Sequence, residues 1–130
     1  MGRKLGPKGA VGLSDLYSQY KRNAKVKQRE FSLSKEEFRT LTSSNCSYCG
    51  IPPFSIWVVH RERSETVIEN EKYIYNGIDR IDNALGYILE NSITCCKYCN
   101  IAKHDRSYRD YLDWVRRSYE HQKEKHERVE

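Results

Sequence analysis

The sequence predicts an α+β fold: a β-hairpin that runs straight into a helix, with further helices before and after it. Three observations carry this. Residues 73–82 and 87–94 are rich in aromatic and β-branched side chains and flank Asn83-Ala84-Leu85-Gly86. Extended runs on both sides of an Asn/Gly turn signal a hairpin. A pair Cys96-Lys97-Tyr98-Cys99 follows the second run, and Cys46-Ser47-Tyr48-Cys49 repeats its spacing upstream. Apolar residues recur at helical intervals in 13–28, in 31–44 and from Ser107 onward.

Bulk properties bound the answer. A chain of 130 residues allows one domain with a modest core. Hydrophobic content of 38% against 32% charged residues predicts a soluble globular protein. Ten tyrosines, three phenylalanines and two tryptophans make much of that apolar material aromatic. The formal charge of +5 fits a polyanionic partner. No apolar run reaches membrane-spanning length, and the N-terminus lacks the apolar core of a signal peptide. The expected location is therefore intracellular and cytoplasmic, with no membrane partner. Disulfides are rare there, so five cysteines point to metal binding before bridges.

Taken in order, residues 1–12 are rich in Gly and Lys and read as a flexible basic arm. Residues 13–28 read as a helix with Ser14 as N-cap, Asp15 in the first turn, and Leu16, Tyr20 and Ala24 facing inward. Lys21, Arg22, Lys25 and Lys27 gather in its second half. Such a cluster is often a solvated face. Its single sign beside a basic arm makes 13–44 the expected DNA-binding region. Residues 31–44 hold a second helix. Ser34 and Glu37 form a capping box there, and Leu33 and Phe38 are spaced as a hydrophobic staple.

Cys46, Cys49, Cys96 and Cys99 have the spacing of a four-cysteine zinc site. Thiolates three positions apart in a turn reach one Zn²⁺, and two pairs close a tetrahedron with no open position for water. A redox pair or buried thiols are the plainer alternative. Cys95 breaks the spacing and reads as a small buried hydrophobe. Residues 51–75 read as a strand followed by a charged surface excursion, with His60 a surface or strand residue. A last helix is predicted from Ser107 to about Glu127, with Ser107 and Asp110 as a capping pair. Tyr108, Tyr111, Leu112, Val115 and Tyr119 would pack it on the hairpin-helix unit. Residues 45–120 then form the core unit and 121–130 a polar tail, with His121 and His126 remote from any site.

The hairpin-helix unit carries Asp79 on its first strand and Asn100 on its helix. Oxygen donors so placed can hold a hard metal ion between strand and helix. Strand alternation sends Asp79 and Asp82 to opposite faces. Asp82 has a turn role available, as an Asx cap beside Asn83. Asp79, in mid-strand, has none, which favours it as the ligand.

Residues 76–103, N-G-I-D-R-I-D-N-A-L-G-Y-I-L-E-N-S-I-T-C-C-K-Y-C-N-I-A-K, resemble the HNH endonucleases, the ββα-metal or His-Me finger superfamily. The likeness extends over about 46–115 and is nearest to the phage-type branch with a G-I-D-R-I-D-N motif. It implies a ββα-metal core stapled by zinc and flanked by helices, acting as a metal-dependent endonuclease on DNA, or on RNA. It implies Mg²⁺ or Mn²⁺ and no small-molecule cofactor, and leaves the oligomeric state open. Matched to the family's motif, Asp79 is the metal ligand, Asn91 the second motif residue, Asn100 the residue on the helix and Lys103 a phosphate contact. Arg80 stands where the family has its histidine general base. A guanidinium stays protonated and cannot take a proton from water. Arg80 is instead expected to clamp a phosphate oxygen, and the base to be a metal-bound hydroxide, His60, His104 or a deprotonated tyrosine. The competing expectations are a zinc-stabilised nucleic-acid-binding module without catalysis, and a zinc-stapled protein-interaction domain.

Overall fold

The computed structural model describes residues 5–59 and 64–129. Helices α1 (Ala10–Val26) and α2 (Lys35–Thr42) come first, then β1 (Ser55–Trp57), α3 (Glu65–Glu71), β2 (Tyr73–Tyr75) and β3 (Gly77–Arg80). A 3-10 turn at Leu89–Asn91 leads into β4 (Ser92–Cys95), α4 (Lys97–Lys103) and α5 (Tyr108–Val129).

Helix α1 begins earlier than its sequence indicates. Its N-cap is Gly9, at φ +81°, and Ser14 lies inside the helix. The Gly9 amide donates to the Asn70 carbonyl at 2.7 Å, so the start of α1 is fixed by α3 and not by a side-chain cap. Gly12 allows that approach, since a Cβ there would meet the Glu71 carbonyl oxygen at 2.3 Å. Asp15 does not cap either; it accepts from Trp57 Nε1 at 2.8 Å. Leu16 and Ala24 are buried as expected. Helix α2 has the full capping box, Ser34 with Glu37, and both Leu33 and Phe38 are buried.

The extended run 73–82 is two strands. Strand β2 pairs antiparallel with β1, Ile74 opposite Ile56. Strand β3 pairs antiparallel with β4, Asp79 opposite Ile93 and Arg80 opposite Ser92. Asn76 makes the break. It is fully buried, its amide donates to the Thr42 carbonyl at 2.9 Å, and its Nδ2 donates to the carbonyls of Ser44 and Ile51, each at 3.1 Å. Its polar groups therefore serve the chain leaving α2 and not a ladder.

The tight four-residue turn expected at 83–86 is a wider connection over residues 81–91. Tyr87 leaves the hairpin to bridge Phe31, with the Tyr87 amide donating to the Glu30 carbonyl at 2.7 Å. The second strand thus starts only at Ser92. Helix α3 replaces the predicted surface excursion; Ser64 Oγ accepts from the Val67 amide at 3.3 Å and starts it.

Helix α5 starts with the expected pair, Ser107 Oγ accepting from the Asp110 amide at 3.1 Å. It continues through the predicted polar tail to Val129. Of the five residues expected to pack it down, only Tyr111 is buried; Tyr108, Leu112, Val115 and Tyr119 are exposed. The helix is anchored at its first turns, where Tyr48 meets Tyr108 and Tyr111 with ring centroids 5.6 and 5.2 Å apart.

Two clusters form the interior. Leu13, Leu16, Leu33, Phe38 and Ile78 join α1 and α2 to β3. Cys46, Cys95, Cys96 and Cys99 form the second, covered by Tyr48, Ile51 and Phe54. Among the described residues no helix is long and apolar enough to cross a membrane.

Candidate active-site cleft and cysteine cluster

The two C-x-x-C pairs meet. The sulfurs of Cys46, Cys49, Cys96 and Cys99 all lie within 4.8 Å of one another, and none of the five cysteines is bridged. Gly50, at φ +79°, closes the first knuckle, with its amide donating to the Cys46 carbonyl at 2.9 Å. Burial opposes ionisation of Cys46, yet the amides of Cys96, Cys49 and Tyr48 turn toward its sulfur and bring it down to about 7. Burial pushes Cys96 and Cys99 up. Sulfurs at this spacing, with amides turned on one of them, are a donor set for a thiophilic ion such as Zn²⁺. Cys95 lies outside the set; burial pushes its thiol well up, as for a small hydrophobe.

A cleft of about 360 Å³ opens beside this cluster, between α1, β3 and α4. Asp79, Arg80 and Asn100 line it together, joined by Tyr20, Lys27, Arg29, Tyr87 and His104. Strand β3 presents Asp79 and Arg80, and the cysteine-capped helix α4 presents Asn100. His104 ends α4 at φ +52°, ψ −122°, a backbone conformation that an L-residue rarely holds.

Asp79 is buried and held from behind. Tyr48 Oη donates to its Oδ2 at 2.6 Å, and Lys103 Nζ lies 3.1 Å from the same oxygen and 3.3 Å from Oδ1. This corrects the phosphate contact expected of Lys103. The Lys103 side chain is 1% exposed and points into the protein, because the helix turn that sends Asn100 to the cleft sends Lys103 under β3.

Arg80 is partly committed. Its Nη1 donates to the carbonyls of Asn83 at 2.6 Å and Leu85 at 3.0 Å, and its guanidinium lies 5.8 Å from the Tyr87 ring centroid. Asn91 does not line the cleft. Its Oδ1 accepts from the Asp82 amide at 2.8 Å, and its Nδ2 donates to the carbonyls of Asp82 and Gly86, each at 3.0 Å. It ties the 81–91 connection shut. Asp82 is an Asx cap, with Oδ1 accepting from the Ala84 amide at 2.9 Å.

Of the expected bases, His60 lies outside the described residues. His104 is on the cleft, whereas His121 and His126 are on exposed turns of α5 and do not line it. Tyr20 also lines the cleft, but burial pushes its hydroxyl well above the ordinary tyrosine range, against the opposing pull of the Ile78 amide that donates to it at 3.3 Å. A phenolate at neutral pH is thereby disfavoured at Tyr20.

Of the predicted basic cluster, Lys27, the C-cap of α1, lines the cleft. Lys21 Nζ sits 5.3 Å from the Tyr17 ring centroid, Arg22 Nη2 donates to Gln19 Oε1 at 2.7 Å, and Lys25 is exposed. Arg29 and Tyr48 escaped the sequence reading. Arg29 follows the basic cluster directly, a usable signal; Tyr48 sits inside a knuckle, where nothing local points to Asp79.

No family model matches the chain. It is 37% identical over 99 residues to the uncharacterized protein R423 of Acanthamoeba polyphaga mimivirus, a match over 76% of this chain and 15% of that protein. The chain therefore spans only 15% of the length of that curated relative. The structure is similar to that of PacI, a rare-cutting HNH restriction endonuclease, with a TM-score of 0.55 over 84% of this chain and 82% of that one, at 19% identity. At that identity the likeness is one of fold alone, a small mixed α/β chain built like an HNH endonuclease; the four-cysteine cluster is an observation on this chain.

Proposed function

We propose that the protein is a metal-dependent endonuclease that hydrolyses phosphodiester bonds in DNA. The observation that carries this is the meeting of Asp79, Arg80 and Asn100 in one cleft, rimmed by Lys27 and Arg29. The carboxylate of Asp79 and the side-chain oxygen of Asn100 are hard donors and fit Mg²⁺ or Mn²⁺ with water completing the shell. When bound, such an ion supplies charge stabilisation at the scissile phosphate.

The chain's own groups supply the rest. Tyr48 and Lys103 orient the Asp79 carboxylate through contacts at 2.6 and 3.1 Å. Arg80, anchored by its Nη1 on the 81–91 connection, offers its guanidinium to a phosphate oxygen. His104 brings an imidazole to the cleft, and it is our candidate to accept the proton of the attacking water. Cys46, Cys49, Cys96 and Cys99 would hold Zn²⁺ in a structural role, at the start of α4. Reduced thiols in that role fit an intracellular, cytoplasmic setting.

The test is plasmid nicking with Mg²⁺ or Mn²⁺, beside a matched RNA substrate, with Asp79→Ala as control. Ion-dependent cutting of DNA that Asp79→Ala abolishes is expected. The second reading, a binding module without catalysis, is favoured by one observation, the commitment of Arg80 Nη1 to loop carbonyls. DNA binding by a wild-type protein that cuts with neither ion would establish it.

A further inference from the structure

We propose that Phe54, Lys97 and Tyr98 form a platform for one unstacked nucleotide of the strand that enters the cleft. This rests on the nucleic-acid reading of the cleft. The rings of Phe54 and Tyr98 are stacked, with centroids 5.3 Å apart and planes 20° from parallel. Lys97 Nζ lies 5.5 Å from the Phe54 centroid and 5.3 Å from that of Tyr98. Those three separations make a nearly equilateral triangle. The ammonium therefore sits at the side of the stack, since over the outer face of Tyr98 it would be much farther from Phe54. Tyr98 is 63% exposed, so much of the residue is open to a ligand.

The platform adjoins the cleft. A smaller cavity of about 130 Å³ is lined by Ser55, Tyr75, Lys97 and Asn100 and shares Tyr20 and Ile78 with the cleft as well as Asn100. Lys97 and Asn100 are one helical turn apart on α4, so the Lys97 side of the platform opens on a cavity that shares Asn100 with the cleft lined by Lys27 and Arg29. A ligand that fits has a flat π face for Tyr98, an anion for Lys97, and a continuation that reaches Asn100. A nucleotide within a strand has all three. In a regular duplex both faces of a base are covered by its neighbours, so the base on Tyr98 is one that has left the stack.

The rival role is to cover the cysteine cluster, against which Phe54 packs. Binding separates the two. The zinc-loaded full chain, with no other divalent ion added, is titrated against a fluorescent single strand and the matching duplex, one base being 2-aminopurine. We expect quenching of 2-aminopurine by the wild type on the single strand. Tyr98→Ala should weaken single-strand binding by about tenfold and leave duplex binding nearly unchanged. Tyr98→Phe should bind as wild type. Lys97→Ala should lower the salt slope of single-strand binding by about one. Absence of quenching by the wild type, or Tyr98→Ala binding the single strand like wild type, overturns the platform. Plasmid nicking reports on the endonuclease reading separately: cutting by a protein that fails these binding tests removes the platform and leaves the nuclease.

Discussion

Lys103 Nζ lies 3.1 Å from Asp79 Oδ2, with the two side chains 1% and 9% exposed. The pair sets an ammonium against a buried carboxylate at the edge of a cleft where a cation is proposed to bind. It also joins the underside of α4 to β3, so the geometry of the cleft depends on it.

Breaking one side of a buried ion pair leaves an uncompensated charge. Lys103→Met should therefore destabilise the fold by about 3–5 kcal/mol. Urea unfolding measures this. A loss under about 0.5 kcal/mol, the usual scale of a surface change, would show that the pair is not structural.

Three tyrosines predict sensitivity to alkali. Burial pushes Tyr20 and Tyr48 well up, Tyr48 helped by its bond to Asp79, and burial with a bond to Cys99 takes Tyr111 up to about 12. Above the ordinary tyrosine value of about 10 the unfolded chain has released these protons while the folded chain keeps them. The folded state then binds more protons than the unfolded one, so stability falls as pH rises. The contribution is complete below about pH 10 and is lost progressively above it. Tyr48→Phe, which keeps the ring contacts to Tyr108 and Tyr111, should make the decline shallower. Urea midpoints that stay level from about pH 9 to about pH 11 would contradict this account.

The local parts of this fold were legible, and the long-range ones were not. The capping box at Ser34 and the two cysteine knuckles are complete within four residues each, so spacing alone reveals them. The pairing of β3 with β4 follows from two apolar runs. The break at Asn76 does not, because it depends on carbonyls of Thr42, Ser44 and Ile51 that only the tertiary fold brings near. Lys103 failed for a related reason. Its spacing from Asn100 puts both on one helix face, and the contact with Asp79 that turns Lys103 inward exists only in the tertiary fold. The Gly9 cap likewise depends on Asn70.

Position on the cleft, more than charge count, should decide which basic residues matter for DNA. Lys27 and Arg29 line the cleft, while Arg22 is bonded to Gln19 on its own helix. Replacing Lys27 and Arg29 together with Ala should lower the slope of log affinity against log salt by about two. Replacing Arg22 alone should change it by much less than one such contact. Equal slopes for wild type and the Lys27/Arg29 double variant would move the DNA path away from this rim.

Arg80 offers the sharpest test of the proposed chemistry, since it has two roles that substitution can separate. Its Nη1 holds the carbonyls of Asn83 and Leu85, and the guanidinium faces the cleft. Arg80→Ala removes both, and cutting should fall by about 10²–10³, as when one donor to a transition-state oxygen is lost. Arg80→Lys keeps the charge but loses the planar fork, so near-normal cutting by it would mean that charge alone suffices. Arg80→His restores an imidazole beside Asp79. If that variant cuts DNA near neutral pH with an added ionisation near about 6.5, the position accepts a general base. If the wild type is inert with Mg²⁺ and Mn²⁺ while Arg80→His cuts, arginine marks a lost catalytic centre and the binding-module reading prevails. Equal cutting by wild type and Arg80→Ala, with unchanged urea midpoints, would remove Arg80 from the site altogether.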